Sequence, residues 1–410
     1  MRVLLFCTAL FCSYTQAAPW EFGSTIPVTQ QSKPGVFVHL ESAGRKNIAV
    51  LDGWVAVAWE DNRDGTPRCY VALKAPDQTA FGDAQQISGQ YEAAEPAIVS
   101  VGAGRFALAW EEDGRVWART ITVILPGHSI HLAAPLALSA IAGAQASLSF
   151  APHTGLFAAW SERGKGFWQI KSAQLRLAVN GGIHLSRQLT VDKSAGGDQS
   201  YPSITALSRG RTMIAWEDRR AGHTRLFYAV SENGRAYSVP QKLNESVRHG
   251  ANPGFGQGTG VMRVALAAYG RNGVVAVWAD KRDFQSGYDV YGGFALGPKL
   301  TFAANEKVQD EFGDNFAQWH PAIAANMGGR AAAVWDDNRD GTPDVWLSWR
   351  NANGWSGDLA VPGASGPGVQ SDPSITMDEA GNLHLVWVEK SDLNGPSSIR
   401  YIFGRLTEQK

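Results

Sequence analysis

The sequence predicts an all-β fold: a seven-bladed β-propeller of four-stranded blades, with the N-terminal strand closing the last blade. Three observations carry this expectation. A segment of the type "VAVAWEDNRDG" recurs seven times, anchored on Trp59, Trp110, Trp160, Trp216, Trp278, Trp335 and Trp387 at intervals of 50–62 residues. A proline stands 14 residues before four of these anchors, at Pro96, Pro202, Pro321 and Pro373. Short runs of strand-forming residues alternate with Gly- and Asn-containing turns, and helical periodicity is almost absent. A repeat of about 50 residues holding four strands is the pattern of a propeller.

The elements follow in chain order. "MRVLLFCTALFCSYTQA" (1–17) has one Arg, an apolar run and a small-residue end, so it reads as a signal peptide cleaved after Ala17. Residues 18–410 are then a single propeller domain, expected to be secreted or periplasmic. "FGSTIPVTQ" resembles the fourth strands "FGDAQQIS" and "YSVPQKL", while the last unit stops after its third strand, "SIRYIFG". The N-terminal strand should therefore complete blade seven and remove an exposed sheet edge. Within each unit a P-x-I strand comes first and an apolar strand runs to the Trp. A polar loop leads to a third strand such as "DVWLSW", and a turn leads to the fourth.

Composition narrows the function. The 37 basic and 38 acidic residues leave a net charge of −1, which gives no electrostatic footprint for nucleic acid. No segment after the leader approaches the ~20 apolar residues of a spanning helix, so no membrane insertion is expected. Cys69 is the only cysteine after processing, so the fold is held by its core without a disulfide, and the chain is expected to act as a monomer. Cys69 itself lies in the strand-like "RCYVAL" and reads as a small buried residue. His128 and His131 flank "SIHL" and read as surface residues.

Repeated chemistry belongs to the fold and unrepeated chemistry to function. The second residue after each Trp is acidic in all seven units: Asp61, Glu112, Glu162, Asp218, Asp280, Asp337 and Glu389. The fourth is Arg in four units: Arg63, Arg220, Arg282 and Arg339. These pairs are expected to brace loops by charge-assisted hydrogen bonds. In "WDDNRDGTPDVW", Asp336, Asn338, Asp340 and Asp344 have the spacing of a calcium loop, so calcium at blade six is the one cofactor considered and otherwise none is expected. The residue 15 before each Trp varies completely: Gly44, Glu95, Gln145, Tyr201, Arg263, His320 and Asp372. This ring, near the central channel, is the site expected to hold substrate. Two insertions open onto the same face, "NESVRHGANPGFGQGTGVMR" and "NEKVQDEFGDNFAQWH". The second places Asp310, Glu311, Asp314 and Trp319 beside His320, acids next to an aromatic ring that suit sugar recognition.

The pattern W-x-D-x-R-x-G, followed by a "D-V-Y/W" strand and an "S-x-N-G" turn, resembles the sialidase-like, Asp-box (BNR-repeat) propeller superfamily across nearly the whole mature chain. "SENGRAYSVP" (231–240) occupies the turn where those proteins carry S-x-D-x-G-x-T-W, one residue short. The F/Y-R-I-P motif of true sialidases is absent, and their catalytic set does not map residue by residue. The resemblance implies a carbohydrate-binding propeller whose top face binds, and in an enzyme cleaves, a glycan or polysaccharide. For a glycosidase the candidate carboxylate pair is Glu95 and Asp372; for a polysaccharide lyase Tyr201 and His320 are the acid and base. Arg263, Trp319, Glu311 and Gln145 are the candidate substrate-binding residues. The alternative is a non-catalytic scaffold for a protein partner or cell-envelope component.

Overall fold

A computed structural model describes residues 18–40, 44–125, 129–194, 196–245, 260–282 and 287–407. The leader lies outside these residues, as do His128 and most of the Gly-rich insertion before blade five. Seven antiparallel sheets form the chain, each built on one tryptophan repeat. The inner strands of blades two to seven are Ala93–Gly102, Gly143–Ala151, Gln199–Ala206, Val261–Tyr269, Trp319–Ala325 and Val369–Met377. Blade one has a divided inner edge, Val38–His39 and Ile48–Leu51. Inner strands of consecutive blades touch all the way round, and Val369–Met377 meets Ile48–Leu51 to complete the ring.

The predicted seal is present. Trp20–Phe22 and Ile26–Pro27 both pair with Ser397–Leu406, the third strand of blade seven. Trp20 is buried, and its indole N–H donates to the Gly381 carbonyl at 2.8 Å, tying the start of the chain to a turn near its end.

Seven apolar clusters, one between each pair of neighbouring blades, make up the core. Each anchor tryptophan is fully buried and packs against the preceding blade, as Trp110 does among Ala56, Val71 and Ile87 of blade one. Loss of one such side chain costs about 3–5 kcal/mol. The acid two residues on lies on the same face of the strand and, in blades one to six, accepts the indole N–H. Trp59 to Asp61 is 2.8 Å, Trp216 to Asp218 is 3.1 Å and Trp278 to Asp280 is 2.9 Å. The following Arg closes the loop onto the same carboxylate through its backbone N–H, at 3.0 Å for both Arg220 and Arg339. These acids serve the blade, which is why they repeat. Cys69 is buried and unpaired, and burial pushes its thiol up.

Candidate functional site

Each inner strand from blade two to blade seven carries a β-bulge at the same place. In blade two, Ala94 pairs with Glu111 and Ala97 with Ala109, so Glu95 and Pro96 together oppose Trp110. The same shift recurs between Ala144 and Ser147, Ser200 and Ser203, Met262 and Ala265, Trp319 and Ala322, and Ser371 and Ser374. The first bulged residue is left-handed in every case: φ is 54° at Glu95, 63° at Gln145, 50° at Tyr201, 60° at Arg263, 51° at His320 and 53° at Asp372. Each of these non-glycine residues holds a conformation that costs of order 1 kcal/mol or more. A bulge re-aims its side chain and interrupts the ladder, which is where a proline with no N–H is tolerated. The proline anchors and the variable ring are therefore one feature.

A bulge leaves its first N–H without a ladder partner, and for five of the six the preceding blade supplies one; blade five has Ala279 at the corresponding position. The residue directly after each Trp points to the opposite face from the structural acid, toward the next blade. Glu60 accepts from Glu95 N at 3.3 Å, Glu111 from Gln145 N at 2.5 Å, Glu217 from Arg263 N at 2.9 Å, and Asp336 from Asp372 N at 3.1 Å. Blade three has the shorter Ser161 at this position. There the Gln145 amide oxygen accepts from both Ser161 Oγ and Tyr201 N, each at 2.8 Å. A second ring of buried carboxylates thus lies beneath the first.

Two charged clusters result. In the first, Arg45 Nη1 lies 2.5 Å from Glu95 Oε2, with the Arg45 side chain 1% exposed. Burial pushes Glu111 up, and the hydrogen bond and charge of Glu95 push it further, to about 8. Burial opposes ionisation of Glu95 as well, but Arg45, the Glu111 hydrogen bond and Arg263 together bring it below the ordinary carboxylate range. Glu95 and Glu111 therefore share one proton near neutrality. The Arg263 guanidinium carbon sits 3.4 Å from the Tyr201 ring centroid, and its buried Nη1 has no hydrogen-bond partner among the described residues. Glu217, behind Arg263, is raised by burial. In the second cluster His320 Nδ1 is 2.7 Å from Asp336 Oδ1, and Nε2 is 3.4 Å from Asp372 Oδ1. Burial raises Asp336, and the Asp372 charge adds to the rise against the opposing pull of His320.

Six of the seven ring residues read from the sequence occupy the bulge, and the seventh does not. Gly44 belongs to an excursion between His39, which pairs with Glu60, and Ile48, which pairs with Val57. The Gly44 carbonyl accepts from Ser147 and Ser203 hydroxyls at 3.3 and 3.2 Å, while Asn47 N donates to Ser374 Oγ at 3.1 Å. Residues 44–47 thus reach from blades three and four to blade seven across the channel. They deliver Arg45, which counting from Trp59 does not single out. Glu95 and Asp372 are engaged in separate clusters, Glu95 with Arg45 and Glu111, Asp372 with His320 and Asp336. Trp319 is 39% exposed beside His320, with its ring 5.1 Å from Tyr288. Glu311 is exposed on a short 3₁₀ turn, Glu311–Gly313, away from the ring contacts.

Of the calcium-loop residues Asp336 stands apart, while Asp340 is near Asp344, whose carboxyl is raised by burial and further by the Asp340 charge. Asp336 turns to His320 and Asp372, whereas Asp344, paired with Asp337, accepts from Gly366 N at 2.9 Å. The Asn338 carbonyl closes the tight turn by accepting from Gly341 N. Adjacent strand positions point to opposite faces, which separates Asp336 from the rest. Among the described residues no group of three or more His, Cys, Asp or Glu side chains is arranged to hold a metal. No helix among them is long and apolar enough to cross a membrane.

No family model matches the chain, and no curated protein does. Solved structures do. The polysaccharide lyase Uly1 superposes with a TM-score of 0.57 at 10% identity, covering 94% of this chain and all (100%) of the lyase. A protein of unknown function from Dyadobacter fermentans gives 0.48 at 12% identity, over 93% of this chain and 100% of the other. An α-L-arabinanase of Penicillium chrysogenum, complexed with arabinobiose, gives 0.48 at 10% identity, over 75% and 92% of the two chains. The likeness to Uly1 extends to the whole of both chains and is one of fold: this chain is a seven-bladed β-propeller.

Proposed function

We propose that this protein is an exported carbohydrate-active propeller that holds a glycan across the bulge ring, with His320 moving a proton and Arg263 meeting negative charge on the sugar. The observation that supports it is the ring itself. Six equivalent positions share one strained backbone geometry and carry six different polar or aromatic side chains. A fold requirement accounts for the shared geometry; it does not account for a Glu, Gln, Tyr, Arg, His and Asp at equivalent places.

The chemistry favours proton transfer over a two-carboxylate displacement. Both acids of the candidate pair already have partners: Glu95 lies 2.5 Å from Arg45, and Asp372 lies 3.4 Å from His320. His320, oriented by Asp336 at 2.7 Å, has the arrangement of a general base or acid held by a third group. Tyr201, pinned under Arg263, is the second candidate for a proton donor or acceptor. Elimination from an acidic polysaccharide uses these parts: His320 or Tyr201 removes a carbon-bound proton, Arg263 neutralises the adjacent carboxylate, and the other residue protonates the leaving oxygen as the C–O bond breaks and the double bond forms. The fold is shared with a polysaccharide lyase, which is consistent with this reading.

The test is a polysaccharide-degradation screen read by ultraviolet absorbance of unsaturated products, run on the wild type, His320→Ala and Arg263→Ala. An active wild type with losses of roughly 10²–10⁴-fold in His320→Ala is the expected result. Activity unchanged in both variants would remove the ring from the reaction.

A further inference from the structure

The geometry points to a second carbohydrate-binding subsite on the rim of blade six, built by the turn around Phe312 and the walls formed by Arg339, Trp346 and Asp358. It deepens the glycan reading and rests on it. A cavity of about 350 Å³ lies here, lined by Asp310, Phe312, Phe316, Arg339, Trp346 and Asp358 among others. That volume falls within the ~300–1,000 Å³ usual for small-ligand sites.

The aromatic ring is exposed on a firmly held backbone. Phe312 is 75% exposed. Its turn is pinned on all sides: Asp310 accepts from Phe312 N at 3.0 Å, and the buried Gln318 amide donates to the carbonyls of Gly313 and Phe316 at 2.8 Å each. Gly313 lies directly on Arg339; a Cβ there would stand 2.5 Å from Arg339 Nη2. A fixed backbone under the ring limits the freedom lost on binding, which favours its use as a stacking surface.

The walls supply hydrogen-bonding groups of both kinds. Asp310 and Asp358 accept each other's backbone N–H at 2.9–3.0 Å, and Arg339 Nη1 is 2.8 Å from Asp358. Arg339 also stacks 4.0 Å over Trp346, whose buried indole N–H has no hydrogen-bond partner among the described residues. Burial and the Asp310 charge raise Asp358 to about 7, but its side chain is 1% exposed and held by Asp310 N and Arg339, so the acid that faces the cavity is Asp310, 25% exposed. An aromatic face beside mixed donors and acceptors matches a sugar ring, with its apolar C–H face and its hydroxyls. A metal cation suits it poorly, because Arg339 already faces these carboxylates. The same turn runs straight into Trp319 and His320, so a polymer bound at the ring can extend outward over Trp319 to Phe312.

Affinity electrophoresis of the full mature chain in gels containing pectin, alginate, chondroitin sulfate or arabinan tests this, paired with titration of the matching disaccharides. The wild type is expected to be retarded by one polymer, and Phe312→Ala to lower the ratio of polymer to disaccharide affinity about tenfold. Asp340→Ala, at the exposed edge of the same cavity, is expected to lower the same ratio, and unchanged melting of both variants confirms that they fold. Retardation of the wild type that is identical in both variants overturns the subsite alone. Absence of retardation by any polymer, with no disaccharide binding, overturns the glycan reading together with it.

Discussion

Replacing Asp337 with alanine should lower the melting temperature by several degrees, whereas replacing its neighbour Asp336 with asparagine should leave melting nearly unchanged and impair the site. The two residues are consecutive in one strand and face opposite ways. Asp337 accepts from the buried Trp335 indole at 3.2 Å and from Arg339 through N, Nε and Nη2 at 3.0, 2.9 and 2.6 Å. Removing the carboxylate leaves the indole N–H without an acceptor, at about 1–3 kcal/mol. It also weakens a buried pair whose complete loss costs about 3–5 kcal/mol. Arg339 keeps Asp358 at 2.8 Å, which holds the total near the lower end, about 3–4 kcal/mol. With an unfolding entropy of about 2 cal/mol/K per residue, a chain of this size should melt about 4–5 °C lower. Asp336→Asn keeps an oxygen to accept from Asp372 N and removes only a charge that burial already disfavours. Calorimetry of both variants decides the matter. A shift below about 1 °C for Asp337→Ala, or an equal fall for Asp336→Asn, would refute the division of labour between the two faces.

Other outcomes follow from the same geometry. Glu111 has a folded pKa near 8, above its unfolded value, so its contribution to stability is complete at acidic pH and is lost as pH rises toward 8. Glu111→Gln should therefore flatten the decline in melting temperature between about pH 5 and 8; a decline as steep as in the wild type would show that the proton is not held there. Glu95, lowered instead, loses its contribution only as pH falls into the acidic range, outside that window. Cys69 is buried with a raised thiol pKa, so it should resist an aromatic disulfide reagent until the protein unfolds. Rapid labelling of the native protein would contradict its placement in the core between blades one and two.

Most of the fold was legible because its signals repeat. The tryptophan and the acid two residues on recur in all seven blades and the proline 14 residues before in four, and the repetition exposes the register. The bulge was legible only as a position of variable identity; its left-handed backbone has no letter of its own where Tyr201, His320 or Arg263 holds it. Blade one misled the count because the excursion between His39 and Ile48 displaces Gly44 from the bulge and brings Arg45 into the site. The second ring of Glu60, Glu111, Glu217 and Asp336 was hidden inside a loop that reads as uniformly polar. Strand alternation offered the missing signal, since residues one and two beyond the Trp must face opposite ways. For Asp336 that alternation decides between a metal ligand and a partner of His320, which calcium-type spacing does not reveal.

Hydrogen exchange of the mature protein with and without a bound glycan tests the central claim most directly. Protection is predicted in the bulge segments 94–97, 144–147, 200–203, 262–265, 319–322 and 371–374, with residues 44–47 protected alongside them. Protection confined to the outer strands, with the bulge segments unchanged, would contradict the account.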